Sequence, residues 1–434
     1  MNHSKGIFCQ LFILIVFLFS CKKEKQELVD EVVSPTTGTR MEFTLDSIFL
    51  YAKQVYLWGD GLPGYADFDP RSRYGAINLE PTAYKTELYD ISQMNTNPQT
   101  GSPYELPVYP GNPKYSYLEE RSNPLHPVTD AYMASVENIP AEMVASHRII
   151  EISDKKIAYL ALLSFSTLAD SKDELDQIFT EFAKVGTTEL IVDLRANRGG
   201  YVETAEYVAN LIVPSRLNAQ VMYSEVFNSL LQNGKASILK NQVYRDVNGH
   251  TIMHNGRLAT MADVDFSKEA NTNYFKKEGK LESIQRVYFI VSGNTASASE
   301  LLISSLKPYF DIKLIGEKTY GKPVGFFGIH IDRYTIYLSS FIIQNAAGWY
   351  DYFEGMQPDV EVLLSADAVL GNPEEAGLQA TLLFIQTTDP ITNALSKQSL
   401  RIDNQLKILK ESQQNIQKAS EGYIPLYKQR FKLK

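Results

Sequence analysis

The chain predicts an α/β protein: a mostly parallel sheet with covering helices, an N-terminal helical and irregular region, and a C-terminal helical tail. Three observations carry this. Apolar runs with β-branched and aromatic members recur at 158–165, 190–194, 287–291 and 313–315, each about as long as a buried strand. Stretches with helical spacing lie between them, such as Leu175, Ile178, Phe179 and Phe182. Strands and helices that alternate in this way argue for parallel strands joined by helical crossovers. The 434 residues suffice for two or three domains, and 44% hydrophobic with 21% charged residues is ordinary globular composition. A net charge of −9 with no basic stripe gives no footing for nucleic acid.

The elements follow in order. Lys5 precedes an apolar run at 7–19, too short to span a bilayer comfortably, which ends in Leu18-Phe19-Ser20-Cys21. This reads as a secretory signal. It resembles bacterial lipoprotein signals, which implies cleavage before Cys21 and lipidation of its thiol; the polar run that follows, beginning Lys22-Lys23-Glu24-Lys25-Gln26-Glu27, reads as a tether over 21–40. An uncleaved membrane anchor is the alternative. Cys9 would leave with the signal, so the mature chain would hold neither a free thiol nor a disulfide. Lys22, next to the lipidated position, resembles a sorting signal for the outer membrane of the bacterial envelope.

An N-terminal region covers 41–145. Leu45, Ile48, Phe49, Ala52, Val55 and Tyr56 recur at helical spacing. Residues 58–140 are rich in Pro, Tyr, Asn and Gly and predict loops and short elements. Gly59-Asp60-Gly61-Leu62-Pro63-Gly64 fits a dinucleotide fingerprint in letters only; it follows a helical pattern rather than a strand and reads as a loop.

The core covers 146–365. A helix is predicted over 172–185, capped by Asp170 or Ser171 and stopped by Gly186, and another over 202–211. A polar segment at 224–283, with Asn-Gly at 233–234, 248–249 and 255–256, predicts an inserted hairpin-rich lobe. His250 and His254 stand four apart, but flanking Asn-Gly pairs make a helix and hence a metal site unexpected. Residues 366–434 read as the helical tail, with segments at 378–385 and 400–409.

The chemistry concentrates after two of the strands. Ser292-Gly293-Asn294-Thr295-Ala296-Ser297-Ala298-Ser299-Glu300 leaves the strand 287–291, and a helical face of Ala298, Leu301, Leu302, Ser305 and Leu306 begins within it. Ser297 would stand where strand turns to helix, beside the N–H groups and partial positive charge of a helix start. Lys322 follows 25 residues later, in the loop Gly316-Glu317-Lys318-Thr319-Tyr320-Gly321-Lys322. Parallel strands would bring both loops to one sheet edge. A serine hydroxyl needs a base to take its proton, and a lysine with a depressed pKa can be that base.

These residues resemble the C-terminal processing peptidases, or tail-specific proteases, of peptidase family S41. Ala296-Ser297-Ala298-Ser299-Glu300 and Gly316-Glu317-Lys318-Thr319-Tyr320-Gly321-Lys322 match the family's serine and lysine blocks in register. Asp193-Leu194-Arg195-Ala196-Asn197-Arg198-Gly199-Gly200 is similar to its Gly-Gly loop, and Gly355-Met356-Gln357-Pro358-Asp359-Val360 to its closing element. The strand from Ala158 to Phe165 is similar to the one that opens the core. The resemblance implies a ClpP/crotonase-like sheet, Ser297 as nucleophile, Lys322 as general base, and supporting roles for Glu300 and Thr319. It implies an oxyanion hole from the N–H of Ala298 with that of Gly199 or Gly200. No cofactor or metal is called for. Two departures stand out. Between 117 and 157 there is no glycine and too little chain for the PDZ domain that many members carry. Pro308 stands where some members have an aspartate, and neither it nor Asp311 is given a role.

Bland readings exist for each residue. Ser297 and Lys322 alone could be a packing site and a surface lysine, but four blocks in family order argue otherwise. Asp193, Arg195, Asn197 and Asp359 read as structural. The leading expectation is a lipid-anchored, extracytoplasmic serine endopeptidase acting on protein or peptide substrates. A catalytically silent peptide- or ligand-binding protein, and a small-substrate esterase or amidase, are the alternatives.

Overall fold

The computed structural model describes residues 34–121, 142–152, 155–246, 249–387 and 431–434. The signal, Cys21, most of the tether and the segment 400–409 lie outside them.

A six-stranded sheet organises the core. Its spatial order is Val360–Glu361, Asp311–Gly316, Arg286–Val291, Glu189–Asp193, Lys155–Leu162, Val144–Ile152. Every neighbouring pair is parallel except the last. The central strands carry apolar residues at successive positions because both faces are covered. Ala158, Leu160, Leu190, Val192, Val287 and Phe289 face one side, against Leu175, Ile178, Phe179 and Phe182 of helix Leu168–Val185 and Val208 of helix Val202–Ile212. Ile157, Tyr159, Ile191, Tyr288 and Ile290 face the other, under Leu378, Leu382 and Ile385 of helix Ala376–Thr387.

Helix Leu168–Val185 starts four residues before the predicted position. Thr167 is its cap, not Asp170 or Ser171: its hydroxyl oxygen accepts the Asp170 N–H at 3.2 Å. Gly186 ends it in the left-handed region at φ 71°.

Helix Arg40–Val55 is fixed at its start by a capping box between Thr39 and Glu42. Helix Glu80–Gln93 packs against it, within the stretch predicted to be loops. Tyr84, Leu88 and Ile91 give it a helical stripe, but Glu87, fully buried within that stripe, breaks the apolar pattern. Strand Tyr117–Glu120 then joins the core by pairing with Tyr334–Tyr337.

The inserted lobe is built of hairpins only in part. Strand Val221–Phe227 pairs with Phe341–Asn345, so the lobe is sewn to chain that follows the lysine block. Asn255 and Gly256 make a hairpin turn at φ 49° and 78° between Met253–His254 and Arg257–Leu258, and the chain also reverses around Gly249, where Arg245 bridges Thr251 in antiparallel fashion. Asn233-Gly234 instead ends the short helix Ser229–Gln232. Asn248 lies outside the described residues.

The loop leaving strand Glu189–Asp193 is anchored by a buried ion network. Arg195 Nη2 lies 2.7 Å from Asp193 Oδ2 and donates at 2.7 Å to Glu375 Oε2, just before helix Ala376–Thr387. Replacing Arg195 by Met would leave two buried carboxylates uncompensated. The expected cost is about 3–5 kcal/mol of unfolding free energy, read by denaturant titration.

Candidate active site

Two parallel strands end side by side, with Asp193 opposite Ile290. The loops that leave them are stitched together by small polar side chains. The Thr295 hydroxyl donates to Leu194 O at 2.9 Å, the Ser292 hydroxyl to Arg195 O at 2.6 Å, and the Ser299 hydroxyl to Asn197 O at 3.1 Å. This accounts for the small polar run: each short hydroxyl reaches a main-chain carbonyl of the neighbouring loop and ties the two loops together.

Ser297 is the residue at which strand gives way to helix Ala298–Leu306. It is fully buried and holds φ 60°, ψ −117°, a conformation a non-glycine residue adopts only when its surroundings enforce it. The helix start leaves the Ala298 N–H without an intrahelical acceptor. Gly199 packs against this turn at φ 108°; a Cβ there would come within 2.9 Å of Ser297 Cβ and 3.3 Å of Ala298 N. Only glycine leaves that space open. The Gly199 N–H itself donates to Asn197 Oδ1 at 2.9 Å. Gly200 bridges to Phe165 in parallel register, and a Cβ on it would lie 2.1 Å from Phe165 O.

The third loop, from strand Asp311–Gly316, brings Lys322 to the same edge. Glu317 N–H donates to Val291 O at 2.9 Å and Tyr320 N–H to Thr295 O at 3.0 Å. Glu300 then ties the serine and lysine loops together. Its Oε1 accepts the Thr319 hydroxyl at 2.6 Å and the Gly321 N–H at 2.7 Å; its Oε2 accepts the Lys322 N–H at 2.8 Å and the Ser297 N–H at 3.2 Å. Thr319 is held from its far side by Met356, whose N–H donates to the Thr319 hydroxyl at 2.7 Å. Thus Ser297, Ala298, Gly199, Glu300, Thr319 and Lys322 gather in one place, with the Gly355–Val360 block as their backing.

Lys322 is 4% exposed, and its Nζ lies 5.0 Å from the Phe326 ring centre. Burial lowers its pKa to about 7; Glu300 and Glu105 act in the opposite sense but do not outweigh the desolvation. Burial also raises the Glu300 carboxyl, against the hydrogen bonds that favour its charged form.

Residues 156–362 match the family model for peptidase family S41. The chain carries a peptidase family S41 domain. Two named relatives align with it. The carboxy-terminal processing protease CtpA of Bacillus subtilis is 26% identical over 230 residues, covering 52% of this chain and 39% of that protein. The chloroplastic C-terminal processing peptidase of Tetradesmus obliquus is 23% identical over 250 residues, covering 57% and 43%. The chain therefore spans about two fifths of the length of these relatives. The solved photosystem II D1 C-terminal processing protease superposes with a TM-score of 0.47 at 13% identity, over 80% of this chain and 98% of that one.

Three residues outside the S41 domain enter its site, and sequence reading missed them. The Tyr115 hydroxyl donates to Gly321 O at 2.5 Å, immediately before Lys322. Lys114 Nζ donates to Tyr320 O at 3.0 Å and Phe353 O at 2.5 Å. Burial lowers the Lys114 pKa to about 8. Glu105, fully buried, accepts the Ser116 N–H at 2.7 Å, the Ser116 hydroxyl at 2.7 Å and the Ser339 hydroxyl at 2.9 Å. Nothing local in the sequence marks these residues; the nearest signal is the Tyr104-Glu105 and Lys114-Tyr115 pairs in an otherwise loop-like stretch.

The Lys322 amine is expected to titrate near pH 7, read by NMR of protein carrying isotope-labelled lysine. Glu105 favours the ammonium form, so Glu105→Gln should move that midpoint to lower pH. A midpoint above 9 in the unaltered chain would contradict the burial argument.

Proposed function

We propose that the chain is a serine endopeptidase in which Ser297 is the nucleophile and Lys322 its general base. The observation that carries this reading is the Glu300 bridge. One buried carboxylate holds the main chain of both residues, beside an amine whose burial favours its neutral form. Neutral Lys322 takes the Ser297 proton as the serine oxygen attacks a peptide carbonyl. The Ala298 N–H faces the oxyanion that forms, with Gly199 or Gly200 as second donor. Gly199 takes this part by exchanging its Asn197 partner for the oxyanion. The Lys322 ammonium then protonates the leaving amine, and the amine so restored activates water to hydrolyse the ester.

The surroundings extend the reading. Glu300 and Thr319 suit supporting roles, since their side chains are spent on hydrogen bonds that hold the serine and lysine loops together. Lipidation at Cys21 would hold the enzyme at the bacterial envelope, on its outer membrane, with substrates outside the cytoplasm. The short stretch between 117 and 157 supports a member without a PDZ domain, so that tail recognition, if present, uses another surface.

The test is cleavage of an unfolded model protein by the chain lacking residues 1–21, with cut sites identified by mass spectrometry. Ser297→Ala and Lys322→Ala should each lower the rate by about 10⁴-fold or more. Lysine must be unprotonated to act, so the rate should rise with pH through a midpoint near 7. Near-full activity in Lys322→Ala would refute the dyad. Absence of cleavage by every form would favour a peptide-binding protein on the same fold.

A further inference from the structure

A short segment far along the chain lies in a groove of the inserted lobe. Leu433 forms an antiparallel bridge with Val264. Asp265 N–H donates to Lys432 O at 2.8 Å, and Lys434 N–H to Asp263 O at 2.9 Å. The pairing resembles strand addition on a short scale, in which main-chain bonds hold an extended peptide and side-chain pockets select among sequences. The pocket here is aromatic. The Phe431 ring sits 5.7 Å from Phe266, 5.8 Å from Phe327 and 6.5 Å from Tyr244, edge-on in each case. Lys434 Nζ donates to Ala262 O at 3.2 Å, and the Asp265 carboxylate lies in the field of both Lys432 and Lys434.

The floor of this groove is mechanically close to the active site. Phe327 touches the docked Phe431, and its neighbour Phe326 carries the Lys322 amine against its ring at 5.0 Å. Successive residues of an extended chain point to opposite faces, so one dipeptide serves the groove on one side and the base on the other.

We propose that the groove over Val264, Phe266 and Phe327 is a docking site for an extended segment of a substrate protein, with an aromatic residue two positions before an aliphatic one and lysines beside them. Residues 431–434 occupy it as an intramolecular competitor. The binding itself needs no catalysis; the identity of the occupant as substrate rests on the peptidase reading. The main-chain bonds are available to any extended peptide, only Phe431 and Leu433 are partly buried in place, and the two lysines stay exposed.

The test uses the full chain carrying Ser297→Ala and a fluorescent peptide of sequence Gln-Arg-Phe-Lys-Leu-Lys, followed by anisotropy. Phe431→Ala with Leu433→Ala should strengthen peptide binding by about tenfold or more, because the tethered competitor no longer fills the groove. A peptide with serine in place of its Phe and Leu should bind about tenfold more weakly, which is independent of any effect of the substitutions on folding. Unchanged binding in either comparison overturns the docking site. In the catalytically intact double variant, appending Phe-Lys-Leu-Lys to a cleaved substrate should lower KM about fivefold or more with kcat unchanged. Equal KM with and without the segment, while the anisotropy result holds, overturns the substrate assignment and leaves the peptide site.

Discussion

The Glu300 carboxylate is the constraint on which the site depends. It is fully buried and spends both oxygens on the main chain of the two loops that carry Ser297 and Lys322, and on the Thr319 hydroxyl. A buried carboxylate is costly unless donors surround it, so the loops and the carboxylate stabilise one another or none holds. The strained backbone at Ser297 is sustained by the same bonds: its N–H is held by Glu300 while its side chain caps the Glu300 N–H. The sheet supplies the platform. Parallel strands deliver three loops to one edge, and Arg195 locks the first of them to the helix behind the sheet.

Electrostatically the site sets a buried amine beside a buried acid without making them an ion pair: among the described salt bridges none engages Lys322. Glu300 bonds the Lys322 main chain rather than its amine, so the charges of Glu300 and Glu105 favour the ammonium form without outweighing desolvation. The N-terminal region is part of this arrangement. Tyr115 and Lys114 grip the carbonyls of Gly321 and Tyr320, and Glu105 is pinned beneath them by Ser116 and Ser339. Losing that grip would free the lysine loop without touching a single motif residue.

What the sequence made legible is what is local. The strands read well because burial on both faces makes them continuous apolar runs, and the site blocks read well because Ser297 with Glu300, and Thr319 with Lys322, stand three apart within one turn or loop. Helix Glu80–Gln93 was hidden because Glu87 interrupts its apolar stripe. The lobe was legible only in part because Asn-Gly serves a helix end at 233–234 as readily as a hairpin. Tyr115 and Gly321 meet across 206 positions, a contact with no local signature. The engagement of the Gly199 N–H by Asn197 was equally hidden, since spacing names the glycines and not the direction of their N–H groups.

The most direct test of the Glu300 account is the rate at which a serine-reactive fluorophosphonate labels Ser297, followed by intact-protein mass spectrometry with peptide mapping. The account predicts single labelling at Ser297 in the unaltered chain, and a large loss of rate in Glu300→Gln although Ser297 and Lys322 are both retained. Labelling of Glu300→Gln at the rate of the unaltered chain would contradict it, since the two loops would then meet without the carboxylate that joins them here.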